Sequence, residues 1–249
     1  MGYMIELMYR ETPLDIYEAE PEGPTKGGII VIHEIWGLNE HTKAIADRFA
    51  AEGYFAVAPS LLHETDIAEY ADQLQLDLFN PEKRNEAQPK LRELMTPMHE
   101  PGFGEKTLGR LQTCFDYLFD KPQLKGWVAV NGYCFGGTYA YTLAMNEPRL
   151  KAAVPYYGHA NLEDPEALKR ITCPILAFYG VKDEGLMRGL TTVKDAMHEA
   201  GVDYTAHVYP DCGHAFFNDT NPFAYNKSAA KDSWKRMLEF LAKIDFAKS

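Results

Sequence analysis

The most constraining feature of this chain is a regular alternation of short apolar runs with longer amphipathic stretches. Residues 28–33 (GIIVIH) form a continuous apolar, β-branched run, which is typical of a strand buried on both faces. Further runs of this kind, separated by predicted helices or loops, lie at residues 54–58, 127–133, 152–157, 174–179 and 204–209. The alternation predicts an α/β fold with a mostly parallel central sheet and helices on both faces.

The domain organisation follows from the length of 249 residues and from the absence of any linker-like segment. We expect a single domain over residues 1–249, opening with two short strands at about 3–10 and 14–19. The region from about 66 to 120 is predicted to be mainly helical with proline breaks, and long enough to form a partial cap over one edge of the sheet. A final helix is predicted over residues 224–248.

The composition excludes several classes of partner. The formal net charge of -11 argues against nucleic acid and anionic membranes, because both would repel the chain. The four cysteines contain no C-x-x-C pair, which indicates reduced thiols and a cytoplasmic location. The N-terminal segment carries early charges where a signal peptide needs an apolar core, so we expect no secretion signal. No apolar run approaches the length of a membrane span.

Residues 132–136 (GYCFG) follow a predicted strand and precede a predicted helix. This pattern is typical of a nucleophile elbow, in which a sharp turn exposes the central residue, here Cys134. The turn crowds the positions two residues away, and Gly132 and Gly136 relieve that crowding. The helix beginning at Phe135 directs the positive end of its dipole at the sulfur, which favours the thiolate, and offers the Phe135 N–H as an oxyanion donor.

Serine usage supports cysteine as the nucleophile. The chain has only four serines, and none of them has glycines two positions away on both sides: Ser60, Ser228, Ser233 and Ser249. If this fold carries an elbow nucleophile, the residue is Cys134.

The acid and the base are expected further along the chain. In hydrolases with this elbow the acid and then the histidine follow the nucleophile, and Asp183 and His214 each follow a predicted strand. Glu184 is an alternative acid, and the other histidines, including His33 at a strand end, fit the base role less well. In a triad, His214 would take the thiol proton, Asp183 would orient the imidazole, and Cys134 would form an acyl-enzyme.

Four motifs together resemble one known family. They are residues 33–39 (HEIWGLN), 132–137 (GYCFGG), 179–183 (YGVKD) and 213–216 (GHAF). In order and spacing the chain resembles, from about residue 28 to 240, the dienelactone hydrolase family (carboxymethylenebutenolidases) of the α/β-hydrolase superfamily. The resemblance implies an α/β-hydrolase fold and hydrolysis of an ester or lactone by Cys134, Asp183 and His214.

The resemblance also implies roles for the 33–39 motif. The backbone N–H groups of Ile35 and Phe135 would form the oxyanion hole. Glu34 would contact the thiol of Cys134 in the resting site and release it when substrate binds. A carboxylate beside the thiol would keep it protonated and less prone to oxidation.

The chain departs from the family at the substrate pocket. Family members that act on dienelactone bind its carboxylate with arginines, but residues 59–64 (PSLLHE) contain no arginine, and Phe217 stands at the second arginine position. Without a guanidinium an anionic substrate loses its strongest partner. We therefore predict a more apolar pocket, walled by Trp36, Leu62, Tyr157, Phe216 and Phe217.

Three other functions fit the sequence less well. The main alternative is a catalytically silent small-molecule binding protein on the same fold. No G-x-G-x-x-G or Walker motif follows an early strand, which disfavours a nucleotide-binding protein. No H-E-x-x-H or comparable ligand cluster appears, so we expect neither a metal nor another cofactor. The expected partner is a small-molecule ester or lactone, and the sequence leaves the oligomeric state open.

Overall fold

Eight strands form one sheet in the computed structural model, which describes residues 1–244. In chain order they are β1 (Tyr3–Tyr9), β2 (Thr12–Ala19), β3 (Gly28–Ile32), β4 (Phe55–Pro59), β5 (Val128–Tyr133), β6 (Ala152–Tyr156), β7 (Ile175–Gly180) and β8 (Tyr204–Tyr209). Their order across the sheet is β1-β2-β4-β3-β5-β6-β7-β8. The pairs β1–β2 and β2–β4 are antiparallel and the others are parallel. The predicted mostly parallel α/β sheet is confirmed.

The central strands are held in register by their burial on both faces. Every residue of β3 and β5 is buried, as expected for apolar strands covered by helices on either side. Gly28 pairs with Val128 and Ile32 with Gly132, so β3 and β5 end together at the same edge of the sheet. The residues that follow these strands therefore emerge side by side.

Eight α-helices cover the sheet or its edge within the described residues. They are α1 (Glu40–Ala51), α2 (Ile67–Phe79), α3 (Arg84–Leu94), α4 (Phe103–Phe119), α5 (Phe135–Asn146), α6 (Pro165–Leu168), α7 (Glu184–Glu199) and α8 (Lys227–Lys243). The final helix begins three residues later than predicted, because the Asn226 side chain caps it by accepting from the Ala229 N–H. The predicted continuation to Lys248 lies outside the described residues. None of the helices in this part of the chain could cross a bilayer.

The helical region predicted over residues 66–120 divides into two parts. Helix α4 buries Leu111, Cys114 and Phe115 in the main core against the sheet. Helices α2 and α3 instead contribute to a separate small apolar cluster, which we call the cap cluster: Trp36, Leu62, Ile67, Ala71, Leu74, Ala87 and Leu94. Only α2 and α3 are therefore candidates for the predicted cap.

Candidate active site

Cys134 lies at the turn between β5 and α5 with backbone angles φ 56° and ψ -112°. A side chain pays a conformational penalty in this region, and such strain clusters at functional sites. A Cβ on Gly132 would collide with the Gly136 carbonyl, and a Cβ on Gly136 would collide with the carbonyl of Ile32. The turn therefore requires both glycines. Its result is a partly exposed thiol, whereas the other three cysteines are buried.

His214 joins two of the predicted site residues. Its Nδ1 donates to Asp183 Oδ2 at 2.5 Å, which leaves Nε2 as the ring nitrogen for the thiol. Burial opposes protonation of His214, but the charges of Cys134 and Asp183 and hydrogen bonds to both outweigh burial and raise the pKa of His214 well above its ordinary value. Glu184, the alternative acid, is exposed and lies 4.0 Å from Arg188 instead.

Glu34 is buried beside this group, and both of its carboxylate oxygens accept hydrogen bonds. Oε1 accepts from the Tyr157 hydroxyl at 3.1 Å, and Oε2 accepts from Asn218 Nδ2 at 2.7 Å. Burial, and after it the charge of Glu34, raise the pKa of Tyr157 well above its ordinary value, so the phenol remains a donor. The ring of Tyr157 also lies 5.1 Å from that of His214. Glu34 thus joins the site through neutral donors, and among the described residues no hydrogen bond joins it to the Cys134 thiol, so the thiol contact that the resemblance implies stays a prediction.

Backbone strain is concentrated at this edge of the sheet. Among the residues other than glycine with positive φ, three belong to the site: Cys134 (φ 56°), Tyr157 (φ 38°) and Ala215 (φ 60°). Each costs of order 1–3 kcal/mol and is held only by the surrounding packing.

His33 connects the segments that carry the predicted oxyanion donors. Its Nδ1 donates to the Glu34 carbonyl at 2.5 Å, and its Nε2 accepts from the Leu61 N–H at 3.1 Å. Its ring stacks on that of Phe135, with 5.6 Å between centroids, and its carbonyl accepts from the Gly136 N–H at 3.1 Å. Burial lowers the pKa of His33 to about 4. A neutral His33 thus fixes the loop that contains Ile35 next to the start of α5.

The five residues predicted to wall the pocket fall into two groups. Trp36 and Leu62 lie in the cap cluster, and Tyr157 lies beside His214. Phe216 and Phe217 are 0% and 1% exposed in the main core. The ring of Phe217 packs 5.0 Å from that of Tyr133 and 6.2 Å from that of Trp234. The two phenylalanines thus support the His214 loop from the core side; Trp36, Leu62 and Tyr157 are buried to a similar degree, at 4%, 1% and 1% exposure.

Two further residues at the site were not singled out from the sequence. Asn218 and Gln75 are 1% and 4% exposed, and Asn218 Nδ2 donates to Gln75 Oε1 at 3.4 Å as well as to Glu34. The polar run at 218–221 (NDTN), directly after the His214 motif, was the available signal for Asn218. No sequence signal marked Gln75, because a glutamine within an amphipathic helix usually faces solvent.

Comparisons with known proteins agree with this architecture. The sequence model of the dienelactone hydrolase family matches residues 14–245. A protein of Saccharolobus solfataricus, provisionally named a carboxymethylenebutenolidase, is 34% identical over 244 residues, which cover 91% of this chain and 92% of that protein. The crystal structure of a provisionally assigned dienelactone hydrolase from Klebsiella pneumoniae has a TM-score of 0.80 at 26% identity, over 98% of both chains. That of a dienelactone hydrolase-like promiscuous phosphotriesterase from metagenomic libraries has a TM-score of 0.76 at 21% identity, over 98% of both chains, which speaks to the fold alone.

Proposed function

This chain belongs to the dienelactone hydrolase family of α/β-hydrolases, and we propose that it hydrolyses an ester or lactone with Cys134 as its nucleophile. The observation that carries the proposal is the 2.5 Å hydrogen bond from His214 to Asp183 beside a partly exposed thiol on a strained turn. A silent binding protein is the alternative. It is disfavoured because binding alone does not require a strained nucleophile turn.

The proposed reaction begins with transfer of the Cys134 thiol proton to His214 Nε2. The thiolate attacks the carbonyl carbon, a C–S bond forms, and the carbonyl π electrons move to oxygen. The N–H groups of Ile35 and Phe135 would donate to that oxyanion. As the tetrahedral intermediate collapses, the C–O bond breaks and the imidazolium gives its proton to the leaving oxygen. The product of this half-reaction is an acyl thioester on Cys134.

Deacylation uses the same groups in reverse. His214 removes a proton from water, the hydroxide adds to the thioester carbonyl, and the C–S bond breaks to release the acid. The sulfur then recovers its proton from His214. The raised pKa of His214 supports this scheme, because an imidazole that holds a proton readily can stabilise a neighbouring thiolate. Asp183 fixes the tautomer and balances the imidazolium charge.

The charges around the thiol favour a neutral substrate. Glu34 and Asp183 both place carboxylates at the site, and residues 59–64 supply no guanidinium. One arginine, Arg110 of α4, does reach that stretch, but it is paired with Glu64 at 2.8 Å. Arg110 is thereby held at Glu64, whose carboxylate also pairs with Lys106. We propose uncharged esters and lactones as the substrate class, with the apolar side chains Trp36 and Leu62 at the pocket.

The test is hydrolysis of p-nitrophenyl acetate and dihydrocoumarin by the wild type, Cys134→Ala and Cys134→Ser, with Cys173→Ala as the control at a buried cysteine. We expect Cys134→Ala to lower kcat/KM at least about a thousandfold and Cys173→Ala to leave it near wild type. Mass spectrometry of rapidly quenched wild type should find an acetyl group on Cys134. Undiminished hydrolysis by Cys134→Ala would contradict the proposal, and tight ligand binding without turnover would favour the silent binding protein.

A further inference from the structure

The carboxylate of Glu34 is connected to helix α2 through one side chain, that of Asn218. The Asn218 amide nitrogen lies 2.7 Å from Glu34 Oε2 and 3.4 Å from Gln75 Oε1. All three side chains are buried, at 4% exposure for Glu34, 1% for Asn218 and 4% for Gln75. Polar groups buried to this degree depend on one another, because water does not replace a lost partner.

The Asn218 amide can adopt only one orientation in this environment. Its Oδ1 accepts from the Thr220 N–H at 3.0 Å and from the Thr220 hydroxyl at 2.6 Å. Its two N–H groups face the oxygens of Glu34 and Gln75. A flipped amide would direct its oxygen at the acceptor oxygens of Glu34 and Gln75 and its nitrogen at the Thr220 N–H, which is itself a donor. Gln75 therefore contributes to fixing the amide that holds Glu34.

Helix α2 also contacts this region at two other points. Asn221 Nδ2 donates to the backbone carbonyl of Gln75 at 3.4 Å, which ties the helix to the loop that carries Asn218. One residue before Gln75, Leu74 belongs to the cap cluster together with Trp36. Trp36 is two residues beyond Glu34. Helix α2 therefore packs both with the loop that carries Asn218 and with the segment that follows Glu34.

We propose that Gln75 is a positioning residue, which holds Asn218 against Glu34 and thereby keeps the Glu34 carboxylate on Asn218 and Tyr157 instead of on the thiol of Cys134. This inference rests on the proposed function. If Asn218 is no longer held, Glu34 gains freedom to accept a hydrogen bond from the protonated thiol or to repel the thiolate, and either effect favours the protonated thiol. The ionisable groups that interact with Cys134 are His214 and Tyr157, of which Tyr157 is uncharged; Asp183 is bonded to His214, and Glu34 is bonded to Tyr157.

The experiment compares Gln75→Met with Gln73→Met. Both glutamines lie on α2, but Gln73 is exposed and donates to Asp77 at 2.8 Å on the same helix. We measure kcat and KM for p-nitrophenyl acetate and the pH midpoint of alkylation of Cys134 by iodoacetamide. Gln75→Met is expected to lower kcat about fivefold with little change in KM, and to move the alkylation midpoint to higher pH. Gln73→Met should change neither quantity.

Gln75→Met in a Glu34→Gln background tests whether Gln75 acts on the thiol through the Glu34 carboxylate. Without the carboxylate, Gln75→Met should no longer move the midpoint. Thr220→Val, at an exposed position, loosens Asn218 from its other side and should move the midpoint in the same direction even if Gln75→Met folds poorly. An unshifted midpoint in folded Gln75→Met, an unshifted midpoint in Thr220→Val, or a shift that persists with Glu34→Gln would each overturn the inference.

Failure of this inference is distinguishable from failure of the proposed function. Alkylation of Cys134 requires no turnover, so its pH midpoint reports on Gln75 whichever residue attacks the substrate. Hydrolysis that survives Cys134→Ala would end the proposed function. Hydrolysis that requires Cys134 but is unaffected by Gln75→Met would contradict only the inference.

Discussion

Protonation of His33 is expected to destabilise this protein as the pH falls, and the size of the effect follows from its burial. His33 is fully buried, and burial lowers its pKa from 6.5 to about 4. Its Nε2 accepts from the Leu61 N–H, so a proton at that nitrogen would face another donor. Between the two pKa values the unfolded chain binds a proton that the folded chain does not, and stability therefore decreases as the pH falls from 6.5 towards 4.

The loss of unfolding free energy equals the separation of the folded and unfolded pKa values of His33 multiplied by about 1.4 kcal/mol per pH unit. Going from 6.5 to about 4 gives a loss of about 3 kcal/mol of unfolding free energy, complete only below the lower value. That is a substantial fraction of the roughly 5–15 kcal/mol typical of a domain.

The assay is urea unfolding of the wild type and of His33→Gln at a series of pH values from 7 to about 4. Glutamine can accept from the Leu61 N–H but does not titrate. Other groups whose protonation differs between the folded and unfolded chains in this range, among them His207 and His214, are common to both proteins and cancel in the difference. The wild type should be the more stable at pH 7, and its advantage should shrink by about 3 kcal/mol towards pH 4. An advantage that stays constant with pH would refute the reasoning.

Three other outcomes are expected. Asp183→Asn should lower kcat/KM by about a thousandfold or more, because His214 loses its orienting carboxylate. The same variant should move the pH midpoint of iodoacetamide alkylation of Cys134 to higher pH. An unchanged kcat/KM would exclude Asp183 as the acid. At low ionic strength p-nitrophenyl butyrate should be hydrolysed with a kcat/KM at least about tenfold above that of p-nitrophenyl hemisuccinate, whose carboxylate meets those of Glu34 and Asp183 and finds no arginine in residues 59–64, and equal rates would contradict the neutral-substrate proposal. Gly136→Ala, whose Cβ would collide with the Ile32 carbonyl, should destabilise by about 3 kcal/mol or more in thermal unfolding, whereas Gly189→Ala, in open space on α7, should be neutral or stabilising by up to about 1 kcal/mol.

The strand–helix alternation and the elbow could be predicted from sequence because both depend on local rules. Apolar β-branched runs report burial on both faces, and the spacing of Gly132 and Gly136 around Cys134 reports a turn too tight for side chains. Asp183 and His214 were found because each follows a strand in a parallel sheet, whose carboxyl ends meet at one edge. The structure brings these two side chains together, while their catalytic roles remain predictions.

What the sequence could not predict depends on tertiary packing. Phe216 and Phe217 follow the His214 motif, and nothing in their local sequence indicates that both rings pack in the main core. The link from Gln75 to Asn218 joins residues 143 positions apart, and it exists only because α2 docks on the loop after β8. His33 ends an apolar run, and its two hydrogen bonds become visible only when the 60–62 segment lies alongside.

The positive φ angles at Cys134, Tyr157 and Ala215 also bear on how this protein can change. The strained backbone lies where the chemistry is proposed to occur, and the packing of the rest of the fold compensates for its energetic cost. Selection for heat resistance would therefore find its easiest gains in relaxing these positions, for instance with glycine, and would loosen the alignment of sulfur, phenol and imidazole as it did so. Stabilising substitutions are therefore better placed in the outer helices, where they leave the backbone of the site unchanged.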